Sequence, residues 1–259
     1  MTIAIITGAA QGIGKAIALR LARDGIDVAL CDLQIQQTLL ENTKANIEAL
    51  GRKSIILMGD ISSSIFIETV ISETVSRLGP LDIMIANAGI AGTYSKISTH
   101  SLDVFDKLVQ TNIRGTFLCY QHAANQMVKQ GGKGVIVGAG SVTGQQALHG
   151  YPVYGMTKAA IRALTQYTAQ EFGKQGIRCN SYCPASVETE MVMKSFATIA
   201  QATKTPLEDL RASYSGINGG MCTPEDVANL VSWLCSDESS FLTGQSVTID
   251  GGYLMKHNL

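Results

Sequence analysis

The chain is poor in the residues that would assign it to several large classes of protein. Cysteine occurs six times, as Cys31, Cys119, Cys179, Cys183, Cys222 and Cys235, with no CxxC pair. Thiols scattered in this way fit a reducing compartment and argue against a disulfide framework or a thiolate zinc site. The four histidines stand apart from one another and from the cysteines, so no metal is expected. Lysine and arginine form no cluster and the net charge is −1, which gives neither nucleic acid nor an anionic membrane a surface to hold. No apolar run approaches a membrane span. Met1-Thr2-Ile3 leads straight into a strand-like run without a basic leader, and there is no Asn-x-Ser/Thr sequon. A cytoplasmic address is expected.

What the chain does have is alternation. Apolar strand-like runs at Thr2–Thr7, Asp27–Cys31, Lys53–Met58, Leu81–Ala86, Gly134–Gly138, Ile177–Cys183 and Gln245–Ile249 are separated by helical patterns. These helices are predicted after Gly14, over Gln34–Leu50 and Ser63–Leu78, along a long stretch from Leu102 to Lys129, after Pro152, and from Pro224 to Cys235 with Thr223 as N-cap. Seven strands alternating with helices imply an α/β fold, a parallel sheet covered on both faces. No repeat or linker divides the 259 residues, so residues 1–259 are read as one domain. Residues 185–222 carry no strand signal, but Met191, Val192, Met193, Phe196 and Ile199 fall near helical spacing. They form either a satellite core or an apolar lid inserted over a substrate.

The first strand breaks at Gly8-Ala9-Ala10-Gln11-Gly12-Ile13-Gly14, and a helical pattern follows. Strand, glycine-rich turn and helix N-terminus together make an anion cradle for a pyrophosphate. Asp32 closes the second strand, where an acidic residue receives ribose hydroxyls and repels a 2′-phosphate. No basic residue follows it, so NAD is favoured over NADP, although Asp32 also has the chemistry of a helix cap. Asp60 after the third strand either meets the adenine or caps the next helix. Asn87-Ala88-Gly89 ends the fourth strand as a small polar corner, and the fifth delivers Ser141. Beyond Pro152, Tyr154 and Lys158 stand at i and i+4 and project side by side from one helix face. An ammonium beside a phenol lowers the phenol's pKa, and Ser141 can hydrogen-bond a carbonyl or alcohol oxygen. The three make an acid/base device for an oxygen. Asn112, an unfavourable interior helix residue, is a satisfied polar group, a bend, or a holder of water near the site.

With Thr7-Gly8-Ala9-Ala10-Gln11-Gly12-Ile13-Gly14, Asn87-Ala88-Gly89, Asn112, Ser141 and Tyr154-x-x-x-Lys158 in this order, the chain resembles the short-chain dehydrogenase/reductase family over essentially its whole length. The resemblance implies a Rossmann-like, doubly wound seven-stranded parallel sheet and a nicotinamide cofactor. Its site residues would be Gly8, Gln11, Gly12, Ile13, Gly14, Asp32, Asp60, Ile61, Asn87, Ala88, Gly89, Tyr154, Lys158, Pro184, Val187 and Thr189 for the cofactor. Ser141, Tyr154 and Lys158 would catalyse, with Asn112 holding a water relay to Lys158. A homo-oligomer, a tetramer above all, is implied, packed through the Asn112 and Tyr154 helices. Gln11–Arg20 and Asn180–Pro184 look like acetoin reductases and butanediol dehydrogenases. Two positions depart from the pattern. Ala185 replaces the usual glycine after Pro184, so the loop there is expected to take another path, since alanine adopts positive φ less readily. Gly140 replaces the serine that often precedes the catalytic one.

These readings converge on an NAD(H)-dependent oxidoreductase interconverting a secondary alcohol and a ketone. An NADP-dependent ketoreductase, an isomerase or dehydratase, and a silent dinucleotide-binding protein are the alternatives. The pocket is expected from Ser141, Leu148, His149, Tyr151, Tyr154, Met191, Val192 and Phe196, with Met221 at its edge. Lys194 and Lys204 lie on the lid, where lysines are ordinarily solvated. A small, neutral, partly apolar ketone or alcohol is the expected substrate.

Overall fold

The computed structural model describes residues 2–256. Seven strands form one wholly parallel sheet in the order β3-β2-β1-β4-β5-β6-β7. They are β1 (Ile3–Thr7), β2 (Asp27–Asp32), β3 (Ser54–Met58), β4 (Ile83–Ala86), β5 (Gly134–Ala139), β6 (Ile177–Pro184) and β7 (Ser246–Ile249). All residues of β1 and β4 are buried, which is why these strands read as continuous apolar runs instead of alternating ones. The fold is the doubly wound, Rossmann-like one anticipated. Strand order reverses between β1 and β4, and a crevice opens outside their carboxyl ends.

Helices cover both faces. On one, α1 (Gly12–Arg23), α2 (Gln37–Ala49) and α9 (Pro224–Cys235) pack Ile17, Leu21, Leu40, Ile47, Val227 and Val231 against the sheet. On the other, α3 (Ser64–Arg77), α5 (Thr116–Lys129) and α6 (Pro152–Phe172) contribute Ile67, Val70, Leu118, Tyr120 and Ala169. Thr223 caps α9 in a reciprocal capping box with Asp226. The helix expected from Leu102 to Lys129 is continuous, but its centre is a seven-residue π-turn, Val109–Gly115, between α4 (Leu102–Leu108) and α5. Asn112 lies in that turn.

Strand starts shift where side chains take the first backbone groups. The Lys53 amide goes to Asp27 and the Leu81 amide to Gln130, so β3 and β4 begin later than expected. Residues 185–222 hold α7 (Glu190–Thr203) and α8 (Leu207–Ser213), pinned at the base by a single parallel bridge between Val187 and Cys222. Phe196, Ile199 and Leu210 form a small core of their own there, with Met193 and Met221 packed against it. Lastly, α10 (Tyr253–Lys256) follows β7.

Candidate active site

The turn from β1 into α1 is built for close approach. Gly8 and Gly12 have φ of +67° and +55°, and a β-carbon on Gly14 would lie 2.0 Å from the Gly8 carbonyl oxygen. Only glycine fits that geometry. Gln11 is the N-cap of α1 and makes no side-chain cap, so the first N–H groups of the helix are open to an anion. Ile13 packs against the core behind the turn. Asp32 does not cap a following helix. Its Oδ2 accepts from the Ala10 amide at 3.0 Å and its Oδ1 from the Leu33 amide at 2.8 Å, which ties the carboxylate to the turn. Asn87 donates through Nδ2 to the Thr7 and Gly8 carbonyls at 2.8 and 3.2 Å. Ala88 lies with it against Gly8, where a β-carbon would come within 2.9 Å of the Ala88 Cα. A glycine-walled turn, an uncapped helix end and a carboxylate at the next strand fit a dinucleotide.

The side chains of four further expected cofactor positions have partners within the fold. Asp60 is exposed, accepts from the Ser62 amide, and leaves the capping of α3 to Ser63. The Ile61 side chain is turned into the core, where it fills the space a side chain on Gly115 would need. Val187 is likewise a core residue, 2% exposed. Thr189 caps α7, and its methyl stands 3.3 Å from where a Gly12 β-carbon would be, which brings the loop after β6 over the glycine turn. Pro184 ends β6 opposite Ile249.

Ser141, Tyr154 and Lys158 converge. Ser141 follows β5, is 7% exposed, and its Oγ accepts from the Thr143 amide and hydroxyl at 3.2 and 3.0 Å. It lines the same cavity as Tyr154. Lys158 Nζ lies 5.4 Å from the Tyr154 ring centroid and donates to the Ala139 carbonyl at 2.7 Å. Asn112 is fully satisfied: Oδ1 accepts from the Ile90 amide, and Nδ2 donates to the Ile90 carbonyl and Thr157 Oγ1. It thus joins the loop after β4 to α6 beside Lys158. Gly89 completes the corner, since a β-carbon there would meet Asn112 Oδ1 at 3.2 Å and Lys158 Nζ at 3.5 Å.

The electrostatics correct one expectation. The ammonium was expected to lower the phenol's pKa, yet burial dominates both groups. It pushes Tyr154 up to about 12, against the opposing influence of the Ser141 hydroxyl, and pulls Lys158 down to about 8. At neutral pH the pair is a phenol beside a largely protonated amine. Such a phenol can hand a proton to an oxygen.

In front of these groups is a pocket of about 100 Å³. Ser141, Leu148, Tyr151, Tyr154, Met191, Val192 and Phe196 line it, as expected. His149 does not: it is exposed and hydrogen-bonds the Tyr94 hydroxyl at 2.8 Å. Thr143, Ser186, Ser195, Tyr214 and Tyr253 line the pocket without having been singled out. Tyr214 and Tyr253 stack on each other and arrive from the end of α8 and from α10. No periodicity links them to the site, and their only signal is a large aromatic ring. Lys194 pairs with Glu190 at the surface and Lys204 is exposed, so neither charge enters the pocket.

A parallel sheet with a dinucleotide cradle at its switch point, and an acid/base group beside it, defines an oxidoreductase class. The family model described as enoyl-(acyl carrier protein) reductase matches residues 8–254. A short-chain dehydrogenase/reductase of Armillaria gallica is 46% identical, over 96% of this chain and 95% of that protein. A diacetyl reductase ((S)-acetoin forming) of Staphylococcus epidermidis is 36% identical over 98% of both. Among solved structures, carveol dehydrogenase of Mycobacterium avium in complex with NAD superposes with a TM-score of 0.92 at 27% identity, covering 98% of each chain. A Burkholderia cenocepacia short-chain dehydrogenase in complex with NADP gives 0.86 at 31%, again over 98% of each. The chain belongs to the short-chain dehydrogenase/reductase family of oxidoreductases.

Proposed function

We propose that the protein is an NAD(H)-dependent oxidoreductase that interconverts a secondary alcohol and a ketone. The observation that carries this reading is that Ser141 and Tyr154 line one pocket with Lys158 behind the Tyr154 ring, at the same sheet edge as the open N-terminus of α1. A nicotinamide bound there supplies or accepts the hydride, and the chain's own residues manage the proton. Ser141, oriented by Thr143, holds the substrate oxygen. In reduction, Tyr154 gives its phenolic proton to that oxygen, and the Lys158 ammonium stabilises the phenolate left behind. In oxidation the proton returns. Asn112 fixes the corner beside Lys158 where water resupplies the proton. Gly8, Gln11, Gly12, Ile13 and Gly14 hold the diphosphate, and Asp32 takes the ribose hydroxyls and turns away a 2′-phosphate.

Residues 185–222 serve as the lid. The substrate is neutral and partly apolar, because tyrosine, phenylalanine, methionine and hydroxyl groups make up the wall. The names of the relatives, a diacetyl reductase and a carveol dehydrogenase, support an alcohol or ketone. An apolar groove of about 260 Å³ between the π-turn and α6, lined by Val109, Ile113, Phe117 and Leu164, supports a homo-oligomer built through those helices. Six free cysteines are in keeping with the cytoplasm.

Tyr154→Phe tests the reading. The variant is expected to lose NADH-linked ketone reduction by about a thousandfold or more while binding NADH normally, because only the proton donor is gone. Undiminished turnover would remove Tyr154 from the mechanism. Substrate turnover with no net change in NADH would point to an isomerase or dehydratase.

A further inference from the structure

Tyr182 is, with Tyr120, one of two fully buried tyrosines that the proposed chemistry leaves without a task. It is 1% exposed, in β6, and its hydroxyl donates to Asn87 Oδ1 at 2.7 Å. That bond crosses the sheet. Ala86 pairs with Gly138 and Ala139 with Tyr182. Carried one residue on, the register puts Asn87, Ala139 and Tyr182 in a row. The β1–β4 register, with Ile6 opposite Ile85, extends the row to Gly8. Ala139 is small enough for the phenol to pass over β5 and reach the corner after β4.

Asn87 is an amide with two ends in use. Its oxygen meets Tyr182, and its nitrogen holds the carbonyls of Thr7 and Gly8, the first residues of the glycine turn. The nitrogen also fills the gap between Gly8 and Gly14, lying 2.9 and 2.6 Å from where their β-carbons would be. Thr7, fully buried, locks the same corner by accepting from the Asn87 and Ala88 amides. The Tyr182 hydroxyl fixes which way the amide faces, and the amide fixes the turn.

We infer that Tyr182 is a positioning residue for the dinucleotide cradle: acting through Asn87, it holds the glycine turn in its binding shape from three strands away. The inference rests on the dinucleotide-binding part of the proposed function. It also ties the strand that ends at Pro184 to the turn that would hold the diphosphate, so both ends of the cofactor site share one rigid row.

The test is NADH affinity, by fluorescence titration, in wild type, Tyr182→Phe, Asn87→Ala and the double variant, with melting temperature and kcat at saturating NADH measured alongside. Tyr182→Phe is expected to raise the NADH Kd by about 5-fold or more, as loss of one part-buried hydrogen bond implies, with kcat at saturation nearly unchanged. In the Asn87→Ala background the same substitution is expected to change Kd by less than about 2-fold, since the route through Asn87 is already gone. An unchanged Kd in Tyr182→Phe overturns the inference, as does equal loosening in both backgrounds. A lower melting temperature without a change in Kd would make Tyr182 a packing residue only, and overturns it too. Failure of the wild type to bind NADH at all would instead sink the proposed function.

Discussion

Lys158 is where the site and the stability of the fold pull apart, and Lys158→Met makes the conflict measurable. Lys158 is 5% exposed and burial lowers its pKa from 10.5 to about 8. In the unfolded chain the amine keeps its ordinary value, so between pH 8 and 10.5 the unfolded state binds more protons and wild-type stability rises with pH. At pH 7 both states are protonated, and holding the charge in the fold costs about 3 kcal/mol, from about 2.5 pKa units at 1.36 kcal/mol each. Methionine removes that penalty but abandons the hydrogen bond to the Ala139 carbonyl, a loss of about 1 kcal/mol. Lys158→Met is therefore expected to be inactive yet more stable than wild type by about 2 kcal/mol at pH 7. The advantage should vanish by about pH 10, where the wild-type amine is neutral in the fold. Urea unfolding of both proteins at each pH checks this, because other titrating groups cancel in the difference. A variant less stable at pH 7, or an advantage that persists unchanged at pH 10, refutes the reasoning.

Three further outcomes are expected. Ketone reduction should fall as pH rises through about 8, when Lys158 loses its charge while Tyr154, at about 12, remains protonated; a kcat/KM profile flat to pH 10 contradicts the assignment. Asp32→Ala should weaken use of NADH and improve use of NADPH, moving the preference by about a hundredfold, the scale of a like-charge clash of several kcal/mol. Equal kcat/KM for the two cofactors in the wild type would contradict the role given to Asp32. Gly140→Ala should displace Ser141 and lower kcat by about tenfold or more, because the new β-carbon would sit 2.5 Å from Cys183 Sγ and 2.9 Å from the Tyr182 carbonyl oxygen; unchanged kcat would show that this corner gives way freely.

The architecture was legible because each layer of it leaves a local mark. Strands buried on both faces read as apolar runs, and Gly8 and Gly14 stand where backbone must approach backbone. The i, i+4 spacing put Tyr154 and Lys158 on one face whatever the details of α6. What escaped was decided by tertiary partners. Asp60 and Ser63 both have the chemistry of a cap, and only the chain path shows that Ser63 takes it. Ile61 and Val187 were named by the resemblance and by no local pattern, and their side chains are buried. His149 is lost to the pocket because Tyr94, 55 residues away, holds its ring outside. Asn112 was legible as an unfavourable interior helix residue, but its partners Ile90 and Thr157 lie 22 and 45 residues away and only the fold brings them together. The pKa order of Tyr154 and Lys158 depends on how dry the site is, which the helix spacing does not reveal.

The two departures from the family pattern turn out to have different physical standing. Ala185 was expected to redirect the loop after β6 because alanine resists positive φ. In the structure Ala185 takes no left-handed conformation, and its amide donates to the Ile249 carbonyl, extending the ladder between β6 and β7. The chain bends at Ala185 after this one extra bond, and the alanine becomes part of the pocket wall. Gly140, by contrast, is demanded by its neighbours: Cys183 occupies the space a side chain there would take. Gly140 and Cys183 are therefore one solution to packing the corner that presents Ser141, with the bulk moved from β5 to β6. Neither departure replaces Ser141, Tyr154 or Lys158, so both alter the walls around the proposed chemistry and leave its groups in place.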